Sequence, residues 1–83
     1  MDWEVTKAQY LDQYRIKVWF HDGSVKVVNF EGELVGEIFE PLKNIDLFRQ
    51  FAVSEEWSTL YWPNGADVAP EFLYERGEEV FDG

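Results

Sequence analysis

Residues 14–30 (YRIKVWFHDGSVKVVNF) show the clearest alternation of apolar and polar positions in the chain. The alternating apolar residues of its first part are Tyr14, Ile16, Val18 and Phe20. This period of two is typical of a strand with one buried face. Asp22 and Gly23 follow, and a second β-rich run resumes at Val25. Because Asp-Gly between two such runs favours a tight turn, the pattern predicts a β-hairpin.

Three further segments have strand-like patterns. Trp3–Tyr10 predicts a first strand, in which a slip at Lys7 or Ala8 indicates a β-bulge. Its inward-facing residues are Trp3, Val5, Ala8 and Tyr10. Glu37–Glu40 predicts a short edge strand that ends at Pro41, because proline cannot donate to a ladder. Ser58–Trp62 predicts a further strand, in which Thr59 and Tyr61 alternate with Leu60 and Trp62.

Residues 44–51 predict one short helix. Asn44 is suited to capping it, and Asp46 lies in the first turn, where the helix dipole favours negative charge. Leu47, Phe48 and Phe51 fall at helical spacing on one face. A helix this short needs tertiary contacts, so its apolar face is expected to pack on the sheet.

Residues 61–74 (YWPNGADVAPEFLY) combine rings with turn-forming residues. Pro63, Asn64 and Gly65 predict a tight turn. Pro70 suits the first turn of a short helix near 70–74. Asp67 or the backbone near Ala69 is expected to cap that helix, with Glu71 near its positive end. The rings of Trp62 and Tyr74 are expected in the interior, so the segment has a structural explanation for each of these residues.

Together these elements predict an α+β domain. A small antiparallel sheet of three to five strands includes the 14–30 hairpin, the helix near 44–51 packs on it, and a helical turn lies near 70–74. The 83 residues fit a single domain, 1–83, with an acidic tail at 75–83 that is expected to fray.

The amino-acid composition predicts a small core that is rich in aromatic side chains. The chain is 46% hydrophobic, with four Trp, four Tyr and seven Phe, so a few aromatic residues can bury much of the apolar area. The absence of cysteine excludes disulfides and zinc sites built on sulfur. No leader-like segment and no apolar run of about 20 residues is visible, so we expect a cytoplasmic protein without membrane contact.

The net charge of −10 is unevenly distributed. Residues 1–30 contain four acidic and four basic side chains, whereas residues 31–83 contain thirteen acidic and three basic ones. A phosphate backbone would be repelled, so direct binding of nucleic acid is not expected. The same field favours a basic protein partner, although it also explains solubility without any partner.

Candidate catalytic and metal groups are few. His21, the one histidine, is beside Asp22 in the predicted turn and is best explained as a solvated turn residue. Asp67 and Glu71 could share a cation, but capping and the helix dipole explain both residues without one. We therefore expect no catalytic residue, no metal site and no cofactor. The competing hypothesis is a small-ligand or enzymatic site at Asp67, Glu71 and Tyr74.

Several stretches resemble a known family as a set. They are Asp22-Gly23 after the strand Tyr14–Phe20, Phe39-Glu40-Pro41-Leu42, Trp62-Pro63-Asn64-Gly65-Ala66-Asp67, Pro70-Glu71 and Leu73-Tyr74. Over nearly its whole length the chain resembles the small bacterial family called domain of unknown function 2442, and departs from it at Ile45, where a proline is common. The resemblance implies a small α+β domain without established catalytic residues. Family genes often lie beside candidate toxin genes, which implies an antitoxin-like role.

These observations predict a non-catalytic interaction module whose expected partner is a basic protein. The candidate partner-binding residues are Trp19, Glu55, Glu56, Trp57, Glu78 and Glu79. Trp19 and Trp57 fall on the outward phase of their strands, where exposed rings beside acids favour binding. Trp19 could equally be a core residue beneath the helix. The candidate structural motif comprises Asp22, Gly23, Trp62, Pro63, Asn64, Gly65, Asp67, Pro70, Glu71 and Tyr74.

Overall fold

A computed structural model of the chain describes residues 3–81. Its strands are β1 (Val5–Asp12), β2 (Arg15–Phe20), β3 (Val25–Asn29), β4 (Ala52–Ser54), β5 (Thr59–Tyr61) and β6 (Glu78–Glu79). Its helical segments are a 3₁₀ helix (Glu40–Lys43), α1 (Ile45–Phe48) and α2 (Pro70–Arg76). One antiparallel sheet has the order β1-β2-β3-β6, and β4 pairs with β5 in a second. This architecture confirms the predicted α+β class. Within residues 3–81, no helix has the length and apolar character needed to cross a bilayer.

The predicted hairpin is formed by β2 and β3, which pair from Arg15↔Asn29 to Trp19↔Val25. In its turn, Asp22 Oδ1 accepts hydrogen bonds from the amide of Ser24 at 2.8 Å and from its hydroxyl at 2.6 Å. Gly23 has a φ of 89°, a conformation that glycine adopts without strain. The turn is therefore specified by adjacent residues.

The first strand is also present, but it begins at Val5, two residues later than predicted. β1 pairs antiparallel with β2, and a register shift between Val5 and Lys7 places the irregularity at Thr6, one residue before the predicted slip at Lys7 or Ala8. Val5 is buried, and Trp3, Ala8 and Tyr10 are half-buried against the core as the pattern predicted.

The prediction of an edge strand at Glu37–Glu40 is wrong. Gly36 has a φ of 95°, and its carbonyl accepts hydrogen bonds from the amides of Phe39 and Glu40 at 3.1 and 2.9 Å. The 3₁₀ helix then begins, with Pro41 in its first turn, where the missing N–H has no intrahelical partner to lose. The proline that was predicted to end a strand therefore helps to start a helix.

The helix predicted at 44–51 is shorter than expected and ends at Phe48. Asn44 caps it as predicted, since its side chain accepts from the second helical amide at 2.9 Å. Phe48 is fully buried, whereas Leu47 is 40% exposed, so the assignment of Leu47 to the buried face is wrong. Phe51 lies beyond the helix and is half-buried against the core.

A second hairpin lies between the two helical regions. The strand predicted at Ser58–Trp62 is observed as β5, but its partner β4 was not predicted. The turn is closed by the amide of Ser58, which donates to the carbonyl of Ser54 at 2.8 Å. Trp57 lies in this turn, so its assignment to a strand is wrong.

Trp62 is the centre of the aromatic core and is 1% exposed, as predicted. The rings of Phe30 and Phe48 lie with centroids 5.9 Å from it, and those of Phe39 and Phe51 at 6.4 Å. Its indole Nε1 donates to the Phe48 carbonyl at 2.8 Å. The buried ring therefore has both close aromatic contacts and a satisfied polar atom.

The first part of the acidic tail forms regular secondary structure. α2 continues to Arg76, and β6 pairs with β3 through Lys26↔Glu79 and Val27↔Glu78. Gly77 permits this connection, because a Cβ there would lie 2.7 Å from the Cβ of Lys26. The predicted tail thus includes the end of α2 and all of β6, and its last two residues lie outside the described residues.

Candidate functional site

The turn at residues 62–67 forms one wall of a surface groove. Gly65, with a φ of 94°, takes the left-handed position that was predicted after Pro63 and Asn64. Asn64 accepts from the amide of Ala66 at 3.1 Å and donates to the carbonyl of Ile38 at 2.9 Å. The turn is therefore fixed both internally and to the loop that precedes the 3₁₀ helix.

A groove of about 660 Å³ lies between this turn and the β4–β5 hairpin. We call it the acidic groove. The side chains that define it are Ser54, Glu55, Glu56, Trp57, Tyr61 and Asp67. It brings three of the predicted partner-binding residues together with one carboxylate of the competing ligand-site hypothesis.

The floor of the acidic groove is built on regular backbone pairing. Tyr61 pairs with Ala52 across the hairpin and forms an isolated bridge with Asp67 on its other side. Directly opposed residues share one face of a sheet, so these side chains point outward together. Thr59 Oγ1 donates to the carbonyl of Val68 at 2.7 Å, which holds the chain after Asp67 against β5.

The charge of the acidic groove is uncompensated within the described chain. Glu55, Glu56 and Asp67 are exposed, no lysine or arginine lines the groove, and these three carboxylates form no ion pair or side-chain hydrogen bond with any of residues 3–81. Asp12 and Glu33, by contrast, pair with arginines at 2.8 and 2.9 Å. A concave surface lined by one sign of charge concentrates ions of the opposite sign.

Two rings stand beside these carboxylates. Trp57 is 71% exposed at the tip of the β4–β5 turn, and Tyr61 is 42% exposed. The amide of Trp57 donates to the hydroxyl of Ser54 at 3.0 Å, which fixes the backbone beneath the ring. Exposed Trp and Tyr on a fixed backbone are typical of the residues that dominate binding interfaces.

The other predicted partner-binding residues lie elsewhere. Trp19 and Glu79 line a separate cavity of about 360 Å³ at the end of the large sheet. Glu78 lines a third cavity with Arg15 and Arg76. The six residues predicted as one set are therefore divided among three surfaces.

Trp19 has the outward setting, one of its two predicted alternatives, and is not a core residue beneath the helix. It lies on the sheet face opposite the core and is half-buried. The ammonium groups of Lys7 and Lys17 lie 4.5 and 5.1 Å from its ring centroid, within the range of a cation–π contact. The flanking lysine side chains therefore cover part of the ring.

Asp22 and Tyr74 join the first hairpin to α2. The Tyr74 hydroxyl donates to Asp22, and the ammonium of Lys26 donates to the Tyr74 carbonyl at 2.6 Å while lying 3.7 Å from its ring centroid. Hydrogen bonds from Ser24, and then from Tyr74, lower the pKa of Asp22 to about 2. Tyr74 is half-buried, less than was predicted, because its hydroxyl reaches the surface at the hairpin.

The three residues of the competing ligand-site hypothesis have different surroundings. Asp67 lines the acidic groove and does not cap α2, whose N-cap is Ala69 without a side-chain hydrogen bond. Glu71 is exposed in the first turn of α2, after Pro70 at the predicted first position. Tyr74 is bound to Asp22. Within residues 3–81, no group of three or more His, Cys, Asp or Glu side chains is arranged to hold a metal ion.

An apolar pocket of about 320 Å³ lies beside the acidic groove and was not predicted. We call it the Phe pocket. Its lining residues are Phe30, Glu33, Phe39, Asp67, Val68, Ala69 and Phe72. Phe39 was assigned to the edge strand at Glu37–Glu40, and that prediction concerned one local segment. The pocket requires three distant segments to meet, a condition for which local periodicity gives no signal.

Comparisons with known proteins support the family resemblance. No curated protein and no solved structure matches the chain significantly. A family sequence profile matches residues 5–79, which span β1 to β6 and contain both the acidic groove and the Phe pocket. The chain therefore belongs to the family described as "Protein of unknown function (DUF2442)".

Proposed function

We propose that this domain is a non-catalytic interaction module that binds a basic segment of a protein partner in the acidic groove. The observation that carries the proposal is the set of three carboxylates without cationic partners among residues 3–81, placed beside the exposed rings of Trp57 and Tyr61. Lysine and arginine side chains complement both features, by charge and by cation–π contact.

The setting we propose is a cytoplasmic complex in which the domain acts as an antitoxin-like or regulatory subunit. This part of the proposal rests on the family resemblance, since family genes often lie beside candidate toxin genes. The resemblance therefore suggests a first candidate partner, the product of the gene adjacent to the gene of this domain. The acidic groove supplies the binding surface for either role.

The test is co-purification of the domain with that gene product. Binding is expected at about 0.1 M salt and release at about 1 M, because the screening length falls from about 10 Å to about 3 Å. The double substitution Glu55→Gln/Glu56→Gln is expected to weaken binding by about 2- to 30-fold, from roughly 0.2–1 kcal/mol for each exposed pair.

The matched control is Glu37→Gln/Glu75→Gln, which removes the same charge from exposed positions outside the acidic groove. It is expected to bind almost as tightly as the unmodified chain. An equal loss in both double variants would assign the effect to net charge and contradict the groove. Absence of binding at every ionic strength would overturn a partner role for the adjacent gene product.

A second candidate function is the binding of a small ligand, or catalysis on it, at Asp67. The observation in its favour is the groove volume of about 660 Å³, within the range of about 300–1,000 Å³ for small-molecule sites. A metal and metabolite screen by thermal shift tests it. A rise in Tm that Asp67→Asn abolishes without loss of folding would support this function, and a screen without any rise would contradict it.

A further inference from the structure

The lining of the Phe pocket is suited to binding one large apolar side chain. Phe30 is 1% exposed, and half-buried Phe39, Val68 and Phe72 form the walls. The ring centroids of Phe30 and Phe72 are 6.2 Å apart. Aromatic and aliphatic walls around an open volume of this kind gain free energy when an apolar side chain displaces water from them.

The rim of the Phe pocket is polar and partly fixed. Glu33 accepts a hydrogen bond from Arg76 at 2.9 Å, and the guanidinium of Arg76 lies 5.5 Å from the ring centroid of Phe72. The exposed Asp67 also lines the pocket. A carboxylate at this position disfavours anionic ligands and favours an occupant whose apolar group is flanked by positive charge.

Asp67 also lines the acidic groove, so the two cavities share a boundary. The chain at this boundary is held by the Trp62 amide, which donates to the Ala66 carbonyl at 2.8 Å, and by the bond from Thr59 to the Val68 carbonyl. A ligand that occupies both cavities therefore contacts the charged groove and the apolar pocket, and the backbone on each side of Asp67 is held by hydrogen bonds.

We propose that the partner segment bound in the acidic groove also inserts an aromatic or large aliphatic side chain into the Phe pocket. This inference rests on the proposed function. The recognition motif in the partner segment would be one or more basic residues with a large apolar residue, the apolar anchor, within a few positions on either side. A second copy of the chain is a poorer occupant, because two molecules of net charge −10 repel each other.

The experiment is an NMR titration of the ¹⁵N-labelled full chain with short synthetic peptides. Each peptide has a Gly/Ser background with two adjacent lysines, and a single Phe is placed one to four positions away on either side. Control peptides carry Ser in place of Phe, or Gln in place of both lysines. The Lys-Phe peptide of the best spacing is expected to bind about tenfold more tightly than the Lys-Ser peptide.

The location of binding is read from the same spectra. Both lysine peptides are expected to shift the indole resonance of Trp57, whereas only the Lys-Phe peptide shifts the amides of Val68 and Ala69. Ala69→Leu is expected to abolish the tenfold gain, because the exposed Ala69 lines the pocket and has an extended backbone that leucine accepts. Gln9→Leu also introduces a leucine at an exposed strand position, on β1 and outside the lining of either cavity, and should retain the gain.

The outcomes separate the two proposals. Equal affinity of Lys-Phe and Lys-Ser peptides at every spacing would overturn the apolar anchor and leave the acidic groove standing. Failure of every lysine peptide to shift groove resonances would contradict the proposed function itself. Shifts at the Phe pocket on concentrating the protein alone would identify a second copy as the occupant and overturn the inference.

Discussion

Replacement of Trp62 by phenylalanine is expected to destabilise the domain far more than the same replacement at Trp57. Trp62 is 1% exposed and donates its indole N–H to the Phe48 carbonyl, whereas Trp57 is 71% exposed. The two substitutions are chemically identical. Any difference between them therefore measures the surroundings of the ring.

The cost at Trp62 has two parts. Loss of the indole donor leaves the Phe48 carbonyl buried without it, which costs about 1–3 kcal/mol. The smaller ring also leaves a cavity, and since full truncation of a buried Trp to Ala costs about 3–5 kcal/mol, the partial truncation adds about 1 kcal/mol. The sum of about 2–4 kcal/mol compares with about 4–12 kcal/mol for the unfolding of a chain of this length.

Urea unfolding followed by circular dichroism measures both variants. With a slope of about 1 kcal/mol/M for a small domain, Trp62→Phe is expected to lower the midpoint by about 2–4 M. Trp57→Phe should change the free energy of unfolding by no more than about 0.5 kcal/mol. A loss at Trp62 below about 1 kcal/mol, or equal losses at the two positions, would refute the assignment of Trp62 as the centre of the core.

Three further predictions concern the edges of the fold. Hydrogen bonds lower the pKa of Asp22 to about 2, so its contribution to stability is present above pH 3.8 and is lost as the pH falls towards 2. The urea midpoint of Asp22→Asn should therefore vary less between pH 2 and pH 5 than that of the unmodified chain. An unchanged pH profile would contradict this prediction. In Gly77→Ala the new Cβ would lie 2.7 Å from the Cβ of Lys26, so the tail should move away from β3. The amide of Val80, which donates to the backbone of β3, should then exchange its hydrogen faster. Unchanged exchange would contradict the close approach. Ala69→Ser should stabilise the domain by about 0.5–2 kcal/mol by supplying the cap that α2 lacks, and a lower urea midpoint would exclude that explanation.

The sequence predicted the parts of the fold that adjacent residues specify. The β2–β3 turn depends on Asp22, Gly23 and Ser24, and the α1 cap depends on Asn44, so both are visible in a short window. Strand β6 has two residues, too few for a period to appear, and β4 (Ala52–Ser54) contains one large apolar side chain, Val53, so its sequence shows no alternation. They exist because β5 and β3 offer them partners, and pairing of that kind depends on the tertiary fold.

The candidate site was predicted only in its components. Glu55, Glu56 and Trp57 were recognised as acids beside a ring, and Asp67 was recognised as part of a turn. Their meeting depends on the Tyr61–Asp67 bridge, which aligns the chain after the turn with β5. The Phe pocket requires a further condition, the approach of α2 to residues 30–39. Hydrophobic periodicity identifies Phe39 and Phe72 as apolar positions but does not predict that a pocket remains between them.

The acidic groove is suited to a test of function because its exposed glutamates contribute little to the fold. Glu55 and Glu56 are exposed and form no ion pair or side-chain hydrogen bond within residues 3–81, so their removal should leave the free energy of unfolding almost unchanged. Trp62, which lies beneath the same surface, cannot be used in this way, because a loss of binding there would accompany a loss of folding. Since the same stretch of chain supplies a buried ring and an exposed carboxylate at Asp67, only substitutions on the exposed side can assign binding to the groove itself.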